Sequence, residues 1–173
     1  MKNLFTLALV AVSLVTSVAT HAQEDKSKRA SPPAKVTETT GKGTTITIDY
    51  SQPAVKGRTI GKEIAPYGEV WRTGANEATT FEISKDAKVN GRALSAGKYA
   101  LFTIPGKEEW VVIFNKVPQQ WGAFKYDQAQ DALRIKVKPG KTKAFTERMT
   151  FMISKAGKVS LMWGDVQVDF NVQ

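Results

Sequence analysis

Residues 98–114 read KYALFTIPGKEEWVVIF and join two strongly apolar segments through a short turn. Both segments are rich in aromatic and β-branched residues, which favour β-strands. The first, Lys98 to Ile104, is apolar on both faces, as expected of a strand at the centre of a sandwich. The intervening Pro105-Gly106 is typical of a turn that closes a hairpin. This stretch therefore predicts two neighbouring antiparallel strands.

Short segments with the same strand character continue on both sides of this hairpin. The pair Asn90-Gly91 predicts a type I′ turn, because both central residues of such a turn take positive φ. Turns at 155–158 and at Gly164-Asp165 are expected to close the last two hairpins. The other predicted strands are 44–50, 80–84, 133–137, 149–153, 159–163 and 166–172.

No window of the chain shows a convincing 3.6-residue apolar repeat of the kind that marks an amphipathic helix. Only residues 127–133 permit a helix, and it would be short. A chain of 173 residues has room for one hydrophobic core. We therefore predict an all-β protein with a single β-sandwich domain, jelly-roll-like or immunoglobulin-like, of about nine strands.

The N-terminal residues have the features of an export signal. Lys2 precedes an apolar run at 4–18, and small residues follow at Thr20-His21-Ala22. This order is that of a cleaved signal peptide, and the run is too short to span a bilayer. No later segment resembles a membrane span, so we expect a periplasmic or extracellular protein that does not cross the membrane. The expected segments are a signal peptide at 1–22, a polar tether at 23–35 and the domain at 36–173.

The residue inventory removes several classes of chemistry. The sequence has no cysteine, and its one histidine, His21, leaves with the signal peptide. This excludes Ser-His and Cys-His nucleophiles, lipidation, structural zinc, haem ligation by His or Cys, and iron–sulfur sites. We expect no cofactor and no metal, although carboxylates and carbonyls also suit calcium. The residues considered for calcium are Asp49, Asn76, Glu77 and Asp131.

The chain is basic, with 25 Lys and Arg residues against 16 Asp and Glu and a formal net charge of +9. Nucleic acid is not an expected partner, because an exported protein rarely meets it. One concentration of lysines suits an anionic surface of the cell envelope. The alternative is an edge strand that lysines keep soluble. The residues concerned are Lys136, Lys138, Lys141 and Lys143.

Residues 66–79, PYGEVWRTGANEAT, are the segment most suggestive of a binding site. They lack strand alternation, and loops on a rigid scaffold commonly carry function. Aromatic faces beside polar side chains suit a glycan or another small polar ligand. The alternative is structural: Arg72 would pair with Glu69, Glu77 or Asp131 in a buried network. The candidate ligand-binding residues are Arg58, Tyr67, Trp71, Arg72, Asn76 and Glu77, and no residue is assigned a catalytic role.

Several strings of the sequence resemble a known family, the bacterial exported domains of unknown function numbered 2911. The resemblance runs from about Ser31 to the C-terminus, implies an exported β-rich domain and brings no known activity. Gln52 stands where the family pattern leads us to expect Arg, so any family site that uses this Arg is in doubt here. The strings are IDYSQP (48–53), GR (57–58), PYGEVWRTGANEAT (66–79), GKYALFTIP (97–105) and WVVIFN (110–115).

Three functions remain open at this point. The first is a non-catalytic binding module, and the second is a purely structural protein. The third is a hydrolase of glycans, which would need two carboxyls roughly 5–10 Å apart. We expect one of the first two rather than an enzyme. The carboxylates available to a hydrolase are Glu77, Asp131, Glu69 and Asp49.

We expect the mature protein to begin near Gln23 and to lie outside the cytoplasm, because the residues before it match a signal-peptidase site. N-terminal sequencing of the exported protein measures this directly. Chains that still begin at Met1 would contradict the prediction.

Overall fold

The computed structural model describes residues 25–173, which contain ten β-strands and two short 3₁₀ turns, Lys26–Lys28 and Gln128–Gln130. The expected signal peptide, 1–22, lies outside these described residues. Within them there is no α-helix, and no helical segment is long and apolar enough to cross a membrane. The all-β prediction is confirmed. The strands are β1 (Pro33–Thr39), β2 (Thr45–Ser51), β3 (Thr80–Ile83), β4 (Ala87–Val89), β5 (Arg92–Leu94), β6 (Gly97–Ile104), β7 (Trp110–Asn115), β8 (Asp131–Val137), β9 (Gly140–Ile153) and β10 (Lys158–Asn171).

Six strands form one antiparallel sheet in the order β1-β2-β3-β6-β7-β8. The hairpin predicted at 98–114 is confirmed as β6 and β7, with Phe102 opposite Ile113. Side chains alternate along β6, so Leu101 and Phe102 lie on opposite faces of the sheet. Both are buried, each in a different apolar cluster. The sheet must therefore be covered on both faces.

The inner face of this sheet packs against a long hairpin formed by β9 and β10, each of 14 residues. The ring of Phe170 on β10 lies 5.9 Å from that of Phe114 and 6.0 Å from that of Phe81. The small β4–β5 hairpin joins this second layer through a bridge between Val89 and Val172. One apolar core thus lies between two β-layers, which is the arrangement of a sandwich.

Two connections, 66–79 and 116–130, cover the outer face of the six-stranded sheet. Ala78 of the first is buried in one cluster with Phe102. Tyr126 of the second places its ring 5.1 Å from that of Phe102, edge to face. The covering connections carry most of the residues that the sequence marks as a candidate site.

Strand β10 runs through Gly164-Asp165, where the sequence predicted a turn. Register shifts on both sides of Gly164 mark a β-bulge, and its φ is 59°. Glycine adopts positive φ in bulges as readily as in turns, so the predicted hairpin at this point is wrong. Strand β9 likewise begins at Gly140, well before the predicted start at Met149, and β1 begins inside the expected tether at Pro33.

The lysines marked by the sequence lie on an edge of the fold. Lys136 is exposed on β8, an edge strand of the six-stranded sheet, as the solubility interpretation expects, and Lys138 is exposed directly after this strand. Lys136 Nζ lies 2.9 Å from Glu109 Oε1. Lys138, Lys141 and Lys143 form no ion pair within residues 25–173.

The predicted type I′ turn is confirmed, with φ of 46° at Asn90 and 81° at Gly91. The Asn90 N–H donates to Asn171 O over 2.9 Å. We expect Asn90→Pro to lower the free energy of unfolding by more than about 1 kcal/mol, because proline cannot take this φ and removes the donor. Urea denaturation followed by circular dichroism measures the loss.

Asn90→Gly is the matched control. Glycine keeps the positive φ and removes only the side-chain oxygen that accepts from the Asn171 N–H over 2.8 Å. We expect this variant to lose less stability than Asn90→Pro. Equal losses in the two variants would contradict the role given to the turn.

Candidate functional site

Residues 71–79 form a loop that leads into β3, and both ends of this loop are hydrogen-bonded to β6. Trp71 exchanges two backbone hydrogen bonds with Thr103, of 2.7 and 2.9 Å. At the other end, the Leu101 N–H donates to Thr79 O over 2.7 Å. The backbone of the residues between these two attachment points is therefore held in place at both ends.

A strained residue lies inside this loop. Thr73 is fully buried with φ of 52°, a conformation that is unusual for a β-branched residue. Its hydroxyl donates to Thr103 Oγ1 over 3.1 Å, and its carbonyl accepts from the Thr79 hydroxyl over 2.7 Å. Backbone strain of this kind persists where the surroundings over-determine it, and it is concentrated at functional sites.

Trp71 serves packing. Its ring stacks on Trp163 at 5.1 Å with an interplanar angle of 12°, and it meets Trp110 edge to face at 6.4 Å. The indole Nε1–H donates to Gly74 O over 3.1 Å. With its ring and its donor both engaged, Trp71 ties the loop to the core.

Glu77 is bound by cations of the N-terminal segment. Lys26 Nζ lies 2.8 Å from Glu77 Oε1, and Arg29 Nη1 lies 2.8 Å from Glu77 Oε2. Burial of the carboxyl opposes its ionisation, but hydrogen bonds from Lys26, from the Glu77 backbone and from Arg29 outweigh it. The pKa of Glu77 therefore lies below its usual value.

Trp121 lies beside Glu77 because the two covering connections pair. Glu77 and Trp121 form an antiparallel bridge, with hydrogen bonds from Ala78 N–H to Gln120 O and from Gly122 N–H to Asn76 O of 2.9 and 3.0 Å. Residues directly opposite in such a pair project to the same side. The Trp121 side chain is 56% exposed.

Asp131 belongs to a separate network that secures the connection 116–130. The carboxylate is 8% exposed and accepts from Asn115 Nδ2 over 2.9 Å, from the Tyr126 hydroxyl over 2.7 Å and from Arg134 Nε over 2.6 Å. Burial and the neighbouring Asp131 raise the pKa of Tyr126 to about 12. This is the kind of structural network that the sequence suggested for Arg72.

Arg72 does not form the expected pair with Glu69, Glu77 or Asp131. Its guanidinium donates one hydrogen bond, from Nη1 to Asn76 O over 3.2 Å, and has no ion pair within residues 25–173. The physical reason is that Glu77 contacts the N-terminal cations and Asp131 contacts Arg134. Burial lowers the pKa of Arg72.

The six candidate residues divide among several places. Arg72, Asn76 and Glu77 lie together on the loop, where Asn76 Nδ2 donates to Ser31 O over 3.2 Å. Arg58 instead donates to two backbone carbonyls of its own turn. Tyr67 borders a hollow of about 240 Å³ on another part of the surface.

The carboxylates considered for a hydrolase or for calcium also lie in different parts of the structure. Asp131 lies in the network with Arg134, whereas Asp49 and Glu77 border one hollow. Glu69 borders neither of the hollows that Glu77 borders. Within residues 25–173, no group of three or more His, Cys, Asp or Glu side chains is arranged to hold a metal ion.

Two adjoining hollows share Glu77, Ala78 and Thr80, and we call them together the Glu77 groove. The first, of about 310 Å³, extends towards β1 and β2 and is bordered by Asp49 and Lys98. The second, of about 320 Å³, extends along residues 118–121. Each is large enough for a small ligand or part of one.

Two residues that border this groove each have a buried polar atom without a hydrogen-bond partner among the described residues, Thr80 Oγ1 and Gln120 Oε1. The Gln120 amide nitrogen donates to Val117 O over 2.8 Å, which leaves the oxygen as the unsatisfied atom. Such an atom costs about 1–3 kcal/mol, and a bound water or ligand is the usual explanation.

Sequence reasoning did not single out Arg29, Gln120 or Trp121. A tryptophan in the polar stretch between two strong strands is a signal that could have marked Trp121, because loops commonly carry binding residues. Its contact with Glu77 has no local signal, since the two residues lie in different connections. Arg29 falls in the segment expected to be a tether.

We expect Arg72→Ala and Glu77→Ala each to lower the free energy of unfolding by less than about 1 kcal/mol. Arg72 makes one side-chain hydrogen bond, and the Glu77 side chain is 40% exposed. Asp131→Ala should cost about 1–3 kcal/mol, because it leaves buried donors unpaired. Urea denaturation of the three variants compares these losses.

Asp131→Asn is the control for shape, since it keeps the size of the side chain and removes its charge. We expect it to lose less stability than Asp131→Ala. Unfolding of Arg72→Ala or Glu77→Ala would contradict the assignment of these two residues to the candidate site. It would mean that the loop supports the fold rather than a ligand.

No curated protein and no solved structure matches this chain. A family model described as "Protein of unknown function (DUF2911)" matches residues 31–172. The match covers nearly all of the described residues and confirms the resemblance found in the sequence strings. The chain therefore belongs to the DUF2911 family of proteins of unknown function.

Proposed function

We propose that this protein is exported and acts as a non-catalytic binding module, with the Glu77 groove as its ligand site. The observation that carries the proposal is the pair of unsatisfied buried atoms, Thr80 Oγ1 and Gln120 Oε1, at a groove that also holds Trp121. A ligand or water that forms hydrogen bonds with these atoms after a small local opening removes their desolvation penalties.

The lining of the groove favours a small polar ligand, and glycans are the first class to test. Trp121 supplies a flat apolar face at one end. Asp49, Glu77 and Lys98 supply charged groups that form directional hydrogen bonds. An aromatic face combined with a few polar groups is the usual composition of a site for small polar molecules.

Binding is favoured over hydrolysis because both carboxylates of the groove are paired with cations, Glu77 with Lys26 and Arg29 and Asp49 with Lys35 and Lys98. A glycosidase needs one carboxyl that is protonated, which requires a raised pKa. The contacts of Glu77 with Lys26 and Arg29 lower its pKa instead. The alternative function, a hydrolase of glycans, would draw on Asp49 and Glu77, because these two carboxylates border the same hollow.

We also propose that the lysine edge contacts an anionic surface of the cell envelope. Lys138, Lys141 and Lys143 have no ion pair within the described residues, so their charges are not neutralised locally. The interaction would be weak and screened by salt, since the Debye length is about 8 Å at physiological ionic strength.

A thermal-shift screen of the mature protein against neutral di- and tetrasaccharides tests the binding proposal. A sugar that binds the native state must raise the melting temperature by mass action. For the best sugar, we expect Trp121→Ala to weaken binding at least about tenfold by calorimetry, because it removes the aromatic face.

Phe124→Ala is the matched control for that variant. Phe124 is an exposed aromatic residue on the same connection, 84% exposed, and it does not border the groove. We expect its affinity for the same sugar to equal that of the wild type. Equal affinity of Trp121→Ala and the wild type would reject the groove as the site.

A further inference from the structure

A guanidinium group already fills one end of the Glu77 groove. The side chain of Arg29 is 13% exposed, although it belongs to a segment before the first strand. Arg29 Nη1 lies 2.8 Å from Glu77 Oε2, and Arg29 Cζ lies 5.8 Å from the centre of the Trp121 ring. The group is thus held by a carboxylate and an aromatic ring together.

The backbones of Glu77 and Trp121 are positioned without contacts from Arg29. They are held by hydrogen bonds between Ala78 and Gln120 and between Gly122 and Asn76. The N-terminal segment contributes one short 3₁₀ turn, Lys26–Lys28, and no strand pairing before Pro33. Glu77 and Trp121 therefore belong to the folded domain, whereas Arg29 belongs to the segment that precedes the first strand.

The groove also has an excess of hydrogen-bond acceptors. Besides the Glu77 carboxylate, Gln120 Oε1 is a buried acceptor without a donor, and the Thr80 hydroxyl, also without a partner, can accept as well as donate. A guanidinium group has five N–H donors in a planar fork and no acceptor, and its plane stacks on aromatic rings. An ammonium group lacks the flat face that matches Trp121. The surplus acceptors and the ring together select a guanidinium.

We infer that Glu77 and Trp121 form a recognition site for a guanidinium-bearing ligand, an arginine-containing peptide, and that Arg29 occupies this site as an internal competitor. The inference rests on the proposed function, since it names the ligand class of the same groove. An external arginine must displace Arg29, and the apparent affinity falls by the fraction of molecules in which the site is open.

The test uses the mature chain, residues 23–173, with Lys26→Ala and Arg29→Ala combined, so that the internal cations are removed. The probe is N-acetyl-L-arginine amide, and the readout is the NMR signal of the Trp121 indole N–H, identified by its loss in Trp121→Phe. We expect the double variant to bind the probe at least about tenfold more tightly than the wild type.

Two controls separate recognition from general electrostatics. Lys42→Ala combined with Lys155→Ala removes the same charge at two exposed lysines away from the groove, and we expect wild-type affinity. N-acetyl-L-citrulline amide has a similar shape to the probe without its charge, and we expect no binding. Adding Glu77→Gln to the Lys26 and Arg29 variant should abolish binding of the arginine probe.

The inference is overturned if the Lys26 and Arg29 variant binds the probe no more tightly than the charge-matched control. It is also overturned if Glu77→Gln leaves the affinity unchanged. A parallel titration with the neutral sugars separates this failure from that of the proposed function. Sugars that shift the Trp121 signal while the arginine probe does not would leave the binding module intact and reject the guanidinium site.

Discussion

Burial of both faces of the central strands is the constraint on which the rest of this structure depends. Strands β6 and β7 place large apolar side chains on each face, and leaving one such as Phe102 in water would cost about 1.5–3 kcal/mol. The β9–β10 hairpin covers the inner face. No second sheet covers the outer face within residues 25–173, so the connections 66–79 and 116–130 do so.

A connection that covers a sheet takes its own polar groups out of water, and these groups then need partners. In one connection the Thr79 hydroxyl donates to Thr73 O, and in the other the Tyr126 hydroxyl donates to the Asp131 carboxylate at the start of β8. Hydrogen bonding is incomplete beside the point where the two connections meet. Gln120 Oε1 of one connection and Thr80 Oγ1 at the start of β3 have no partner among the described residues. Covering the outer face of the sheet with connections therefore completes the core, and it also leaves the unpaired polar groups of the candidate ligand site.

Residues of one type take different roles according to whether they face the core or the groove. Trp71 packs against the inner core and stacks on Trp163, whereas Trp121 borders the groove and is half exposed. Arg134 is held by a buried carboxylate, whereas Arg29 reaches a partly exposed one from outside the sheet. The first residue of each pair supports the fold, and the second borders the groove.

The sequence by itself determined the central strands, because alternation of apolar residues is a local property that each segment carries independently. It did not determine β1, the first part of β9 or the continuity of β10. The all-β class, the hairpin at 98–114 and the turn at Asn90-Gly91 follow from it. The sequence also marked Glu77 and Arg72, but not their partners. Only the tertiary structure set Trp121 and Arg29 against Glu77, because these contacts depend on the order of strands in the sheet and on which connections cover it. The same limit applies to Gly164, whose positive φ is compatible with a turn or a bulge until pairing across the whole hairpin decides between them.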